Sequence, residues 1–160
     1  MSEQNERPKV LAVSSGGGHW SELRRLRPSW EGARVSYVVT DVAYKADLDS
    51  DPAETDYRFF TVRDANATHR IRLLQLALKM FLVVLRVRPD VVISTGAAPG
   101  YFAIRFGKML GARTIWVDSI ANAEEMSVSA NLSRKHCDLW LSQWPHLAKE
   151  TGAEYAGAVM

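Results

Sequence analysis

Short apolar runs alternate with polar and glycine-rich segments along the whole chain. Continuous runs of apolar and β-branched residues are typical of strands buried on both faces of a parallel sheet. Longer segments between them show the spacing of helices. The pattern predicts strands at Lys9–Ser14, Arg34–Thr40, Tyr57–Val62, Asp90–Ser94, Arg113–Val117 and Asp138–Ser142.

The segments between these strands predict helices and two polar connections. The predicted helices are Ser21–Leu26, His69–Arg88, Tyr101–Leu110 and the helical turn His146–Thr151. We interpret the acidic stretch Asp41–Asp56 as a solvated loop, and Ile120–Arg134 as a polar loop or broken helix. Alternating strands and helices predict an α/β fold, a Rossmann-like, doubly wound and mostly parallel sheet. We expect a single domain over residues 1–160, with residues 1–8 disordered.

Ligands of doubly wound sheets bind beyond the carboxyl ends of the strands, at the point where strand order reverses. Four connections fall on that edge: the glycine turns after Ser14 and Ser94, and the loops after Val117 and Ser142. We therefore expect one cleft lined by all four.

The first glycine turn, Ser14–Gly18, separates a predicted strand from a helix start. Glycines let backbone approach a phosphate closely, and the first amides of a helix are unpaired and favour an anion. His19 follows directly, so a side chain that can hold or release a proton is expected beside the anion.

The segment His69–Arg88 is too apolar for a helix that covers only one sheet face. On a helix, one narrow polar stripe is formed by Arg72, Gln75, Lys79 and Arg86. The segment carries five basic residues and no acidic one. Two interpretations remain open: a core helix covered by another helix, or a helix resting on the sheet and on an anionic bilayer surface. For the second, the membrane-facing residues are predicted to be Arg72, Leu73, Leu76, Met80, Phe81 and Leu85.

Composition narrows the functional classes. A net charge of +2 gives no indication of nucleic-acid binding. The single cysteine, Cys137, excludes an intrachain disulfide and is predicted to be a buried, inert thiol. The four histidines lack metal-site spacing, so we expect no metal and no cofactor. Residues 1–9 have no apolar stretch and no run of about 18 apolar residues follows, so neither a signal peptide nor a spanning helix is predicted.

A partial dinucleotide-binding fingerprint keeps a different class open. Gly16 and Gly18 follow a strand, and Asp41 stands at the end of the second strand, but Ser21 occupies the third glycine position. One alternative is therefore a nicotinamide-dependent oxidoreductase domain, for which Asp41 would be needed. Another is a non-catalytic scaffold that recruits a complete enzyme to the membrane.

Three stretches together carry a family resemblance that runs from Val10 to about Pro145. They are SSGGGHWSEL, RPDVVISTGAAPG and IWVDSIANAEEMSVSANLSRKHCDLWLSQWP. The chain resembles the PssD-type acceptor-side subunits of split GT-B glycosyltransferases of bacterial polysaccharide biosynthesis. Their eukaryotic relatives add the second N-acetylglucosamine to dolichol diphosphate, and the first stretch is also similar to the N-terminal half of MurG.

The resemblance implies the N-terminal half of a GT-B transferase. This half would bind a polyprenyl-diphosphate-linked saccharide peripherally at the cytoplasmic face of the inner membrane. A separate UDP-sugar-binding subunit would complete a heterodimer, and neither chain would be active alone. The reaction implied is inverting transfer of a hexosyl, N-acetylglucosaminyl or glucuronosyl group.

The resemblance also implies roles for residues in the cleft. His19 would be the general base, with Asp118 and Glu124 as further candidates for a base or for sugar contacts. Family members commonly have Glu-Ser where this chain has Asp118-Ser119. The acceptor diphosphate would be bound by both glycine turns, through Ser15, Gly16, Gly17, Gly18, Thr95, Gly96 and Ala97.

Overall fold

The fold is taken from a computed structural model that describes residues 7–159. The disorder predicted for residues 1–8 therefore lies mostly outside the described residues. The last two residues of this segment are described, and both contact the rest of the chain. Arg7 forms an ion pair with Asp56 at 2.7 Å, and the carbonyl of Pro8 accepts a hydrogen bond from the Arg34 amide at 2.9 Å.

One parallel sheet of six strands organises the described chain, and the Rossmann-like fold is confirmed. The spatial order is β3-β2-β1-β4-β5-β6, and every neighbouring pair is parallel. Strand order reverses between β1 and β4, so this is the place where a doubly wound sheet opens a ligand cleft. The strands are β1 Lys9–Val13, β2 Arg34–Val39, β3 Tyr57–Thr61, β4 Val91–Ser94, β5 Arg113–Val117 and β6 Leu139–Leu141.

Helices connect the strands and cover both faces of the sheet. Two begin three or four residues earlier than predicted, because the glycine turns after β1 and β4 lead directly into a helix. A short helix also forms within the acidic stretch and another within the polar connection after β5. The helices are α1 Gly18–Arg25, α2 Lys45–Asp49, α3 Arg70–Val87, α4 Ala97–Met109, α5 Val128–Ser133 and α6 Pro145–Thr151.

The sheet separates two apolar layers. Alternate residues of a strand point to opposite faces, and in β1 this places Leu11 and Val13 in the layer under α3 and α4. Val10 and Ala12 lie in the other layer, with Trp20 of α1. The central strands are therefore buried on both sides, which fixes their carboxyl ends relative to one another.

The acidic stretch is not the solvated loop that the sequence predicts. Arg24 of α1 forms ion pairs with Asp51 and Glu54, and the Tyr37 hydroxyl donates to Glu54 at 2.5 Å. Burial of the Tyr37 hydroxyl, reinforced by its hydrogen bond to Glu54, raises the Tyr37 pKa far above its usual range. The stretch is thus fastened to α1 and β2 by charge pairing that a list of acidic residues does not reveal.

Candidate active site

The first glycine turn is held by two side chains from the connection after β2. Gly17 has a positive φ of 66°, a conformation that glycine adopts without penalty. The Gly16 amide donates to Thr40 Oγ1 at 3.1 Å, and the Gly17 amide donates to the Tyr44 hydroxyl at 2.7 Å. The Tyr44 ring also packs against Gly16, where a Cβ would come within 2.9 Å of it. Sequence reasoning gave no role to Thr40 or Tyr44.

The helix that follows leaves its first amides pointing out of the turn. Gly18, His19 and Trp20 occupy the first positions of α1, where backbone amides have no partner within the helix. These groups, rather than the amides of Gly16 and Gly17, are the donors that the turn offers to an anion. Ser15 lies buried at the start of the turn.

The second glycine turn packs against the first. The Thr95 hydroxyl donates to the main-chain carbonyl of His19 at 2.7 Å, and the Gly96 amide donates to Ser94 Oγ at 3.2 Å. A Cβ on Gly96 would lie 2.5 Å from His19 Nδ1, so only glycine leaves room for the ring. The Thr95 hydroxyl hydrogen is thus used within the protein. Ala97 follows with a positive φ of 66° and lines the cleft.

His19 therefore lies between the two turns, at the strand-order reversal. Its side chain is 30% exposed, yet its Nδ1 atom is buried and has no hydrogen-bond partner within residues 7–159. Since Nδ1 faces inward and the ring packs on Gly96, the Nε2 edge is the part that the cleft exposes. An imidazole with one buried and one accessible nitrogen can exchange a proton with a bound ligand.

Glu22 lies one helical turn beyond His19 and is buried, at 4% exposure. Its Oε1 atom accepts hydrogen bonds from the Ile120 amide at 2.8 Å, Ser119 Oγ at 3.2 Å and Gln143 Nε2 at 3.3 Å. One carboxylate therefore joins α1 to the connections after β5 and β6. Sequence reasoning missed this role, although the spacing of three from His19 places both side chains on one face of a helix.

Asp118 holds the connection after β5 in place. It is 2% exposed, and each carboxylate oxygen accepts two hydrogen bonds from its surroundings. The donors are Trp116 Nε1 at 3.2 Å, Asn122 Nδ2 at 3.1 Å, the Ser127 amide at 2.9 Å and Ser127 Oγ at 2.6 Å. Four donors leave this carboxylate little capacity for a substrate.

The cleft itself is bounded by three connections. It encloses about 360 Å³ and is lined by residues of α1, the start of α4 and the segment 119–129. Gln143, after β6, is buried and donates to the Asp118 carbonyl at 2.9 Å, but it does not line the cleft. Three of the four predicted connections therefore line the cleft, and the fourth, after β6, only contacts them from behind it. Glu124 lies in the same segment, where its side chain is exposed.

Helix α3 has a different outer surface from the one predicted. Leu76 and Met80 are buried in the core and cannot contact a bilayer, so their assignment to a membrane surface is wrong. Leu73 and Phe81 are partly buried against the same core. Among residues 7–159 no helix is both long and apolar enough to cross a membrane. The large apolar side chains that α3 exposes form one stripe, Ile71, Leu74, Leu78 and Leu82, and we call it the α3 stripe.

Comparison with known proteins then identifies the family. The family described as oligosaccharide biosynthesis protein Alg14 like matches residues 10–159. This chain belongs to the Alg14-like family. Two curated relatives are named UDP-N-acetylglucosamine transferase subunit ALG14. The protein from Yarrowia lipolytica is 24% identical over 98% of this chain and 83% of its own length. The protein from Eremothecium gossypii is 25% identical over 94% of this chain and 80% of its own length.

Solved structures are similar to this Alg14-like chain in their fold alone. MurG of Acinetobacter baumannii superposes with a TM-score of 0.66 at 12% identity, over 86% of this chain and 42% of MurG. A putative UDP-N-acetylglucosamine 2-epimerase from Listeria monocytogenes gives a TM-score of 0.67 at 11% identity, over 92% of this chain and 42% of the epimerase. The chain thus spans less than half the length of these structural relatives.

Proposed function

We propose that this Alg14-like chain is the acceptor-binding subunit of a two-chain inverting glycosyltransferase. The complex transfers a sugar from a UDP-sugar to a polyprenyl-diphosphate-linked saccharide. The observation that carries the proposal is the position of His19, with Nδ1 buried and Nε2 open to a cleft at the strand-order reversal. Family membership favours this function over a nicotinamide-dependent oxidoreductase. Asp41, which that alternative requires, instead accepts a hydrogen bond from the Ala43 amide at 2.8 Å.

In the proposed reaction, His19 Nε2 takes the proton of the acceptor hydroxyl as that oxygen bonds to the anomeric carbon of the donor sugar. The bond between this carbon and the UDP oxygen breaks at the same time, and UDP leaves with the electron pair. Attack from the side opposite to UDP inverts the anomeric configuration. A positioned general base contributes about 10²- to 10⁴-fold to such a step.

The acceptor diphosphate is proposed to bind at the start of α1. Its charge is favoured there by the helix dipole and by the amides of Gly18, His19 and Trp20. The second turn, Thr95–Ala97, forms the opposite wall. Ser15, Gly16 and Gly17 contribute by shaping the turn, because the amides of Gly16 and Gly17 already donate to Thr40 and Tyr44.

The donor is proposed to come from a separate UDP-sugar-binding subunit. The two curated relatives are named as subunits of a UDP-N-acetylglucosamine transferase, and this chain aligns with less than half of single-chain MurG. We propose that the missing half is supplied as a partner chain facing the cleft. We propose that Glu124, which is exposed in the segment beside the cleft, contacts the sugar or the partner.

We also propose that the α3 stripe rests on an anionic membrane, peripherally and on the cytoplasmic face. Its four apolar side chains are each more than half exposed. The exposed cations Arg72, Lys79 and Arg86 follow the stripe along one side of the helix. An apolar strip bordered by cations is the pattern of a helix that lies in the plane of a bilayer surface. A lipid-linked acceptor would then be delivered from the same surface.

The test is turnover by the complex of this chain with its donor-binding subunit, using UDP-N-acetylglucosamine and a polyprenyl-diphosphate saccharide. We expect His19→Ala to lower kcat by about 10²- to 10⁴-fold. The matched control is His69→Ala, an exposed histidine outside the cleft, which we expect to leave kcat unchanged. Turnover by His19→Ala within about threefold of wild type would contradict a base role and favour the scaffold alternative.

A further inference from the structure

The His19–Glu22 pair is unusual because both facing atoms lack partners. Nδ1 of His19 and Oε2 of Glu22 are buried, and neither has a hydrogen-bond partner within residues 7–159. They lie 3.9 Å apart on one face of α1. A buried polar atom without a partner is costly, so two of them facing each other indicate a contact that a small movement completes.

We propose that Glu22 is the positioning residue for His19: its Oε2 accepts the Nδ1 proton and thereby keeps Nε2 unprotonated toward the acceptor hydroxyl. This inference rests on the proposed function, in which Nε2 is the base. Catalytic hydrogen bonds are often long before substrate binds and tighten in the complex. When Nε2 takes the acceptor proton, the ring becomes positive beside the Glu22 carboxylate, which stabilises that charge.

The other oxygen of Glu22 explains why this carboxylate cannot turn away. Oε1 accepts from the Ile120 amide and from Gln143 Nε2, two groups that can only donate. These bonds orient the carboxyl group so that Oε2 is directed at His19. Gly96 also limits the ring, since a Cβ there would collide with Cε1 and Nδ1. The imidazole is therefore packed against both a carboxylate and a glycine.

The neighbouring carboxylate does not compete for this role. Asp118 satisfies both its oxygens with groups of Trp116, Asn122 and Ser127. Within residues 7–159, Glu22 is the acidic side chain that forms an ion-pair contact with His19. A helix-borne pair at a spacing of three residues thus supplies both the base and the group that orients it.

The discriminating variant is Glu22→Gln. The three donors on Oε1 keep the amide oxygen in that position, which turns the amide NH₂ toward His19 Nδ1. An NH₂ group needs an acceptor, so the neutral imidazole should change tautomer and carry its proton on Nε2. We expect kcat of the complex to fall by about 10²-fold or more, since a wrong tautomer removes a base without moving it. We expect the KM for the lipid acceptor to stay within about threefold.

Two readouts separate positioning from folding. The first is nitrogen NMR of the isolated full chain with labelled histidine, at a pH where the ring is neutral, with His19→Ala identifying the signal. We expect a protonated Nδ1 in wild type and a protonated Nε2 in Glu22→Gln. The control is Thr114→Val, which removes a buried hydroxyl near the amino end of β5. It should lower stability while leaving the His19 tautomer and kcat unchanged.

The second readout is the double variant with His19→Ala. If Glu22 acts through His19, Glu22→Gln should have little further effect on kcat in that background. An equal loss in both backgrounds, or a wild-type ring protonated on Nε2, would overturn the proposal. If His19→Ala alone kept full turnover while the tautomer still changed in Glu22→Gln, the base role would fail and the pair would stand.

Discussion

Gly96 and His19 are in such close contact that the hydrogen on the glycine Cα is part of the site. A methyl group at Gly96 would lie 2.5 Å from His19 Nδ1, well inside van der Waals contact. Position 96 of the second glycine turn is thus restricted to glycine, because the His19 ring occupies the space that a side chain would take. This makes the wall formed by one turn and the histidine that follows the other a single structural unit.

Gly96→Ala should therefore displace the His19 ring and lower kcat of the complex by at least about tenfold. One physical reason is overpacking against the ring, which typically costs about 1–3 kcal/mol in a packed site. The other is the φ of 154° at Gly96, a conformation that residues with a side chain rarely adopt. Activity and thermal unfolding of the variant would be compared in the wild-type and His19→Ala backgrounds. In the second background the methyl group has space, so both losses should shrink. Equal losses in both would mean that the backbone at Gly96, rather than the ring, is the cause.

Asp118→Asn should destabilise the protein rather than affect chemistry alone. The carboxylate accepts from four donors, and an amide can replace one of its oxygens only by placing an NH₂ group against two of them. Lost hydrogen bonds to a charged group cost about 1.5–3 kcal/mol each. Urea unfolding should show a lower midpoint, which corresponds to a loss of about 3–6 kcal/mol in the free energy of unfolding.

The control for this prediction is Glu125→Gln, an exposed carboxylate in the same segment. It should unfold like wild type, because surface substitutions usually change stability by less than about 0.5 kcal/mol. If Asp118→Asn unfolded like this control yet lost turnover, Asp118 would act in the reaction instead of holding the connection.

Local sequence patterns were sufficient for the fold. Continuous apolar runs predicted every strand of the sheet, and the parallel order followed from their alternation with helices. The two glycine turns were also predicted to lie at the same edge of the sheet, since parallel strands have their carboxyl ends on one edge. Thus the cleft and the place of His19 in it could be inferred without coordinates.

The contacts that complete the site could not be inferred in this way. The Tyr44 hydroxyl accepts a hydrogen bond from the Gly17 amide, but Tyr44 lies in a connection whose acidic composition indicated only a solvated loop. Glu22 accepts hydrogen bonds from Ile120 and Gln143, which lie 98 and 121 residues away along the chain. No local sequence pattern indicates contacts over such separations. For α3, the helical spacing was right but the choice of outward face was wrong. This helix carries apolar side chains on most of its faces, so its sequence does not reveal which face is buried. Only the packing shows that Leu76 faces inward.

Cys137 should be unreactive at neutral pH in the folded protein. Burial, with a smaller contribution from the neighbouring Asp138 carboxylate, raises the pKa of the Cys137 thiol to about 12. The thiolate is the nucleophile, so alkylation at pH 8 should be much slower in native than in urea-unfolded protein. The raised pKa also makes the stability of the folded protein depend on pH. The contribution of Cys137 to stability is complete below the unfolded-state pKa near 8.5, and it is lost as the pH rises toward 12. Cys137→Ala should remove that part of the alkaline slope, and equal alkylation of both states would contradict the prediction.

Replacing Leu74 and Leu78 by serine should release the chain from anionic membranes without unfolding it. Both side chains are more than half exposed, so their removal opens no cavity, whereas each contributes apolar surface that a bilayer would bury. Co-sedimentation with vesicles of phosphatidylglycerol and phosphatidylcholine should show at least about tenfold weaker binding, equal to 1.4 kcal/mol. The matched control is Val42→Ser, an equally exposed apolar residue away from α3, which should bind like wild type.

Lys79→Glu should weaken binding at low salt more than at high salt, because charge attraction to the headgroups is screened. Wild-type vesicle binding by the double serine variant would leave the α3 stripe to another partner, with the donor-binding subunit as the first candidate to examine by the same pair of variants.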